Sequence, residues 1–167
     1  MIGMLYAFAL LSLMLSGAIF GFFYAWICST MWGLDAADPV VAIKAMQAMN
    51  ASVRNVVFAP AFFGTPFALA ITAALAFAAG SRTAASAFGA AALVYVFGGL
   101  LLTMAVNVPM NEALATIDVP TDSARAQSIW QAYSKPWQAW NTIRAIASGI
   151  TLALTGFAIF AMRKQAG

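Results

Sequence analysis

Long stretches without charge constrain this chain more than any other feature. No charged residue precedes Asp35, and none lies between Arg54 and Arg82, between Arg82 and Glu112, or between Arg144 and Arg163. With 63% of 167 residues hydrophobic, 8% charged and a mean hydropathy of +0.88, water is an unsuitable solvent for the folded chain. A membrane-spanning helix takes roughly 20 apolar residues. Four such spans fit, about 2–31, 55–79, 84–106 and 137–162, and a fifth does not. The expectation is all-α: one domain, 1–167, an integral membrane four-helix up-and-down bundle with short amphipathic helices in two extracytoplasmic loops.

Several function classes fall away. The net charge of +3 comes without a basic cluster, so no nucleic-acid partner is expected. Cys28 stands alone, which excludes an internal disulfide and thiol-pair redox chemistry. The absence of histidine excludes imidazole-held haem or copper and a histidine base. Met46, Met49 and Met110 are a weak argument for a soft metal, and no metal or cofactor is expected. Ser16-Gly17-Ala18 resembles a signal-peptide cleavage site, but a basic leader is missing and the apolar run continues to Trp32.

Along the chain, Ser12, Ser16, Gly17 and Gly21 give the first span small residues suited to close helix approach. They also suit a homo-oligomer. Asp38 and Pro39 read as the N-cap and first position of a helix running unbroken to about Gly80, amphipathic at first and membrane-crossing from about Asn55, with a kink at Pro60 and Pro66. The third span should stop at Asn107-Val108-Pro109. Asp122 should cap a short loop helix with Ala126, Ile129, Trp130 and Tyr133 on one side, and the fourth span follows. Arg82, Arg163 and Lys164 share one membrane side, while every acid lies on the other. This sorting places both termini in the cytoplasm, and a bacterial inner membrane is the expected location.

Polar residues converge at the outer ends of the spans. At about 100° per residue, Trp137, Asn141, Arg144, Ser148 and Thr155 form one stripe of the fourth span, flanked by Trp140 and Thr151. Ile143, Ile146, Ile150 and Leu154 face the other way. From Arg144 to Arg163 the helix is about 27 Å long at 1.5 Å per residue, so Arg144 sits at the edge of a core about 30 Å thick. Asn50 and Arg54 share an inward sector with Ile43, Met46 and Val57, while Lys44 and Asn55 point elsewhere. Thr103 and Asn107, then Asn111 and Glu112, bring the third span to the same level. Each has an ordinary explanation as well. The tryptophans can be interfacial anchors, Asn107 a helix C-cap, Glu112 a favourable first-turn charge, the arginines snorkelling cations, and Asn50 and Asn141 inter-helix hydrogen bonders. Their convergence favours a pocket.

The motifs NxPxNxxL at Asn107–Leu114 and WxxWNxxR at Trp137–Arg144, on four spans, make the chain similar to the anthrone oxygenase-like family of small membrane proteins. Many bacterial members of that family have no assigned function. The resemblance covers nearly the whole chain and implies a four-helix bundle. For characterised relatives it implies oxidation of an anthrone to an anthraquinone by molecular oxygen, without metal or flavin. Carried over by motif, Asn107, Asn111, Trp137, Trp140, Asn141 and Arg144 become site positions. On that reading a lipophilic small molecule enters from the bilayer and stacks on Trp137 or Trp140. Arg144, or Arg54, with Asn141 holds the enolate oxygen. Asn50 and Arg54 help bind, and Glu112, helped by partial burial, is the base. The competing readings are a binding or transport protein that takes a small anion or lipid headgroup on Arg54 and Arg144, and a scaffold subunit without catalysis.

Overall fold

The computed structural model describes residues 2–163; Lys164, one of the three cations in the orientation argument, lies outside them. Four helices are long and apolar enough to cross a membrane: Ile2–Ala36, Phe58–Ala78, Arg82–Ala115 and Ser123–Met162. Each packs against the next around a closed ring, first on second, second on third, third on fourth and fourth on first. That is the up-and-down bundle.

The first crossing comprises α1 (Ile2–Ala25), a π-helical turn at Trp26–Thr30, and α2 (Met31–Ala36). Next comes α3 (Pro39–Ser52), capped by Asp38, whose Oδ1 accepts from the amides of Val40 and Val41. Here the expected unbroken helix fails. The chain breaks at residues 53–57, and Asn55 starts the second crossing, α4 (Phe58–Ala78), its Oδ1 accepting from Val57 N at 2.8 Å and Phe58 N at 2.9 Å. Asparagine competes for backbone groups in just this way and so favours caps over helix interiors. Pro60 then falls in the first turn of α4, where its missing N–H costs nothing. Pro66 lies inside α4. It deprives the Phe62 carbonyl of its helical donor, and the buried Tyr95 hydroxyl donates to that oxygen at 2.8 Å.

Gly80, at φ 84°, makes the turn into the third crossing, a conformation that favours glycine. That crossing runs through α5 (Arg82–Tyr95), two π-helical stretches (Val96–Leu101 and Thr103–Asn107) and α6 (Val108–Ala115). The stop expected at Asn107–Pro109 is not observed. A helix can pass a proline where a π-turn relaxes the preceding ladder, and Thr103–Asn107 does this ahead of Pro109. The fourth crossing, α7 (Ser123–Arg163), is one 41-residue helix that absorbs the expected loop helix and passes through Pro136. Of the loop helices, α3 alone is separate; α6 and the head of α7 extend crossings.

One core cluster fills the ring away from the loops, with Leu5, Ala9, Leu69, Ala76, Ala84, Phe88, Ala91 and Ala158 among its buried members. A second lies at the loop end, where Met31, Ile43, Met46, Leu114, Trp130, Tyr133 and Trp137 join α3 to the head of α7. Asp35 pins this second layer. Its carboxylate accepts from Trp130 Nε1 at 2.9 Å, Ser134 Oγ at 2.6 Å and Gln138 Nε2 at 2.8 Å. The three donors stand on successive turns of one helix face, which locks the end of the first crossing to α7.

Candidate functional site

Between the two core layers lies a cavity of about 580 Å³, within the range that takes a drug-sized ligand. Its walls are largely aromatic and aliphatic: Phe22, Phe23 and Trp26 from the first crossing, Met49 and Val53 from the end of α3, Phe58, Phe62 and Phe63 from α4, and Met104 and Val108 from the third crossing. Phe22 and Phe58 have ring centroids 4.8 Å apart, and Trp26 and Trp137 are 5.1 Å apart. Polar groups reach the cavity from Asn50, Arg54, Asn55, Thr103, Asn111, Glu112 and Arg144.

Arg144 dominates the deep end. Two hydrogen bonds and two ring faces hold its side chain: Nη2 donates to Asn141 Oδ1 at 2.8 Å, Nη1 donates to Thr103 Oγ1 at 3.2 Å, and the guanidinium carbon lies 4.5 Å from the Phe23 ring centroid and 5.3 Å from that of Trp137. Guanidinium over an aromatic face is a favourable pairing that strengthens when water is excluded. The residue is 5% exposed. No carboxylate pairs with it, since the one ion pair among the described residues joins Arg54 to Glu112. A buried cation lacking a counter-ion is costly. Here neutral acceptors and ring faces offset part of that cost, the buried Nε has no hydrogen-bond partner among the described residues, and the positive field is left directed at the cavity.

The position is set from behind. Asn141 is fully enclosed and donates its Nδ2 hydrogen to the Phe23 carbonyl at 3.1 Å, one turn before the π-helical turn of the first crossing. Its carbonyl thereby turns to Arg144. Thr103 donates to the Gly99 carbonyl at 2.6 Å, so its oxygen is free to accept from Arg144.

At the mouth, Trp137 Nε1 and Tyr133 OH both donate to Asn111 Oδ1 at 2.8 Å, and Asn50 Nδ2 donates to Tyr133 OH at 3.3 Å. Arg54 Nη2 and Glu112 Oε1 stand 3.2 Å apart, each side chain 59% exposed.

Most of the expected positions meet here. Asn50, Arg54, Asn111, Glu112, Trp137 and Arg144 line the cavity, and Asn141 stands directly behind Arg144. Others differ from expectation. Trp140, at 38% exposed, points out of the bundle like Ile143 and Ile146 and reads as an interfacial anchor. Asn107 is fully buried but does not line the cavity, and neither its Oδ1 nor its Nδ2 has a hydrogen-bond partner. The C-cap explanation for it fails because the helix continues. Arg54 sits at the rim and not among apolar neighbours, because α3 ends at Ser52 and the helical wheel no longer applies. Asn55, expected to point elsewhere, lines the cavity while capping α4. Glu112 lacks the burial expected of it. The aromatic wall from the first crossing and the Tyr133 link were not expected. Tyr133 stands one turn before Trp137, and placing it in a loop helix separate from the fourth span hid that alignment.

The chain matches a family model described as Anthrone oxygenase over residues 54–154. Comparisons with curated proteins and with solved structures return no match. The matched segment holds Arg54, Asn107, Asn111, Glu112, Trp137, Asn141 and Arg144, while the aromatic wall of the first crossing lies outside it. This four-helix integral membrane protein therefore belongs to the anthrone oxygenase family.

Proposed function

We propose that the protein oxidises a lipophilic aromatic of the anthrone type with molecular oxygen in the cavity facing Arg144. The observation that carries this reading is Arg144 itself: a buried, rigidly held guanidinium without a carboxylate partner at the deep end of an apolar, aromatic-walled space. Fixed donors in a water-poor site stabilise charge that develops on an oxygen far more than water does. A planar ligand whose carbonyl oxygen rests on Arg144 has its rings between Trp137, Trp26 and the phenylalanines.

The chemistry follows from the acidity of a methylene opposite a ring carbonyl. Glu112 is the one carboxylate lining the cavity among the described residues, and it takes the first C–H proton. The electron pair left behind moves onto the carbonyl oxygen as an enolate, held by Arg144. Electron transfer from the enolate to oxygen and recombination form a C–O bond, and a returning proton gives a hydroperoxide. Loss of the second C–H proton with cleavage of the O–O bond releases water and leaves a new carbonyl. One methylene and one O2 become one carbonyl and one water.

The test is anthrone-dependent oxygen uptake by purified protein in lipid nanodiscs. Arg144→Gln should lower turnover by roughly 10²–10³-fold, the effect of losing one oxyanion donor. Turnover at the wild-type rate in a folded Arg144→Gln protein rejects the reading in favour of a binding role. Glu112→Gln should also lose turnover, and full activity in that variant removes the base assignment. Charge sorting supports cytoplasmic termini in an inner membrane, so that the cavity mouth opens at the outer surface. A C-terminal fluorescent-protein fusion should glow and an alkaline-phosphatase fusion stay inactive; the opposite pattern inverts the topology.

A further inference from the structure

Hydrogen-bond directions around the mouth can be fixed from one residue. An indole N–H only donates, so the Asn111 atom facing Trp137 Nε1 at 2.8 Å is the carbonyl oxygen. Tyr133 OH, 2.8 Å from the same oxygen, must then donate to it, and Asn50, 3.3 Å from Tyr133, must donate to the phenol. Asn111 Oδ1 is thus occupied by two donors. Its Nδ2 hydrogens have no protein acceptor among the described residues, and the residue lines the cavity.

Arg54 adds to this surplus. It meets Glu112 through Nη2 alone, at 3.2 Å, with both side chains 59% exposed. An ion pair that exposed contributes little stability, and a guanidinium with one contact retains most of its donors. The polar groups at the mouth therefore offer more donors than acceptors, one of the donors charged. Arg144 gives the deep end the same character, and aromatic rings separate the two.

We infer that the substrate carries a ring carboxylate, taken at the mouth by Arg54 and Asn111 Nδ2, in addition to the carbonyl oxygen that meets Arg144. This rests on the proposed reading of the cavity as the site of an aromatic substrate and narrows its substrate class. A carboxylate matches the fork of a guanidinium bidentately, which the single Arg54–Glu112 contact does not. A ring phenol stays neutral at pH 7, since phenols lose their proton near pH 10. As Arg54 exchanges Glu112 for the substrate's carboxylate, Glu112 is released from its ion pair beside the ligand. Binding then frees the base.

Stable, non-reacting probes separate this from catalysis: anthraquinone-2-carboxylate, anthraquinone and oleate, titrated against wild-type protein in phosphatidylcholine nanodiscs by quenching of tryptophan fluorescence. The carboxylated quinone should bind about tenfold more tightly than the uncharged one, the worth of one charge-assisted hydrogen bond. Oleate should compete poorly, because it lacks the flat ring. Arg54→Gln should abolish that preference and Arg54→Lys restore part of it. Glu112→Gln, which removes the competing carboxylate, should strengthen binding of the carboxylated probe while turnover falls. Equal binding of the two quinones, a preference that survives Arg54→Gln, equal competition by oleate, or weaker carboxylate binding in Glu112→Gln would each overturn the inference. None of these results bears on whether Arg144→Gln stops oxygen uptake, so the two readings fail separately.

Discussion

The two ends of the bundle treat buried polar groups in opposite ways. Away from the loops, Ser12 and the threonines are absorbed by the fold, and the buried hydroxyls of Ser16, Ser81 and Ser148, which have no hydrogen-bond partner among the described residues, face no cavity. Ser12 and Thr72 meet at 2.9 Å, Thr72 bonds the Ala68 carbonyl of its own helix at 2.7 Å, and Thr151 and Thr155 do the same on α7. Small residues let the helices close on one another; a Cβ added at Gly98 would stand 2.5 Å from that of Ala147. At the loop end the helices part around α3 and the break at residues 53–57. There the polar groups hold a guanidinium and an amide in place while leaving donors turned to a cavity. Closely packed spans, their polar groups turned to one another or to their own helices, make a scaffold. Spans held apart by a second aromatic layer, with donors unspent, make a site.

Substitutions at the two ends should therefore separate activity from stability. The largest effect belongs to Arg144→Gln, with turnover down by roughly 10²–10³-fold and thermal stability in detergent little changed, because the cavity accommodates the shorter side chain. Next is Gly98→Val in the packed region, expected to lose about 1–3 kcal/mol through overpacking against α7; unfolding in mild detergent measures it, and unchanged stability would show that the helices can part there. Tyr133→Phe breaks the link from Asn50 to Asn111. It should cost about 1 kcal/mol and weaken ligand binding in the fluorescence titration. Ser12→Ala removes one interhelical hydrogen bond, expected to cost about 0.6 kcal/mol and to leave oxygen uptake unaltered. Trp140→Leu sits at the smallest end: neither turnover nor unfolding should change, and a loss of turnover would return Trp140 to the site.

How much of this the sequence revealed depended on whether helical periodicity applied. It applied to α7, where Trp137, Asn141, Arg144, Ser148, Thr151 and Thr155 are all buried as the wheel placed them and Ile143, Ile146 and Ile150 are exposed, although Leu154, placed with those isoleucines, is half-buried against the core. It failed past Ser52, because the hydropathy of Val53, Val56 and Val57 continues the apolar run while Asn55, a cap, ends one helix and starts another. Prolines misled in the other direction. Pro109 read as a boundary, yet the π-turn at Thr103–Asn107 carries the helix past it, and the loop helix and fourth span, read as separate, are one helix running through Pro136. The aromatic wall of Phe22, Phe23 and Trp26 was hidden for a different reason. In a span where nearly every residue is apolar, nothing local marks which rings face a cavity.

The central claim is that the loop-end cavity oxidises an aromatic methylene with molecular oxygen under the field of Arg144. Incubating nanodisc-embedded protein with anthrone under ¹⁸O-labelled oxygen tests it most directly. The wild type should form anthraquinone with one labelled oxygen, faster than protein-free nanodiscs do, and Arg144→Gln should form it roughly 10²–10³-fold more slowly than the wild type. Wild-type protein that forms labelled quinone no faster than empty nanodiscs would contradict the account.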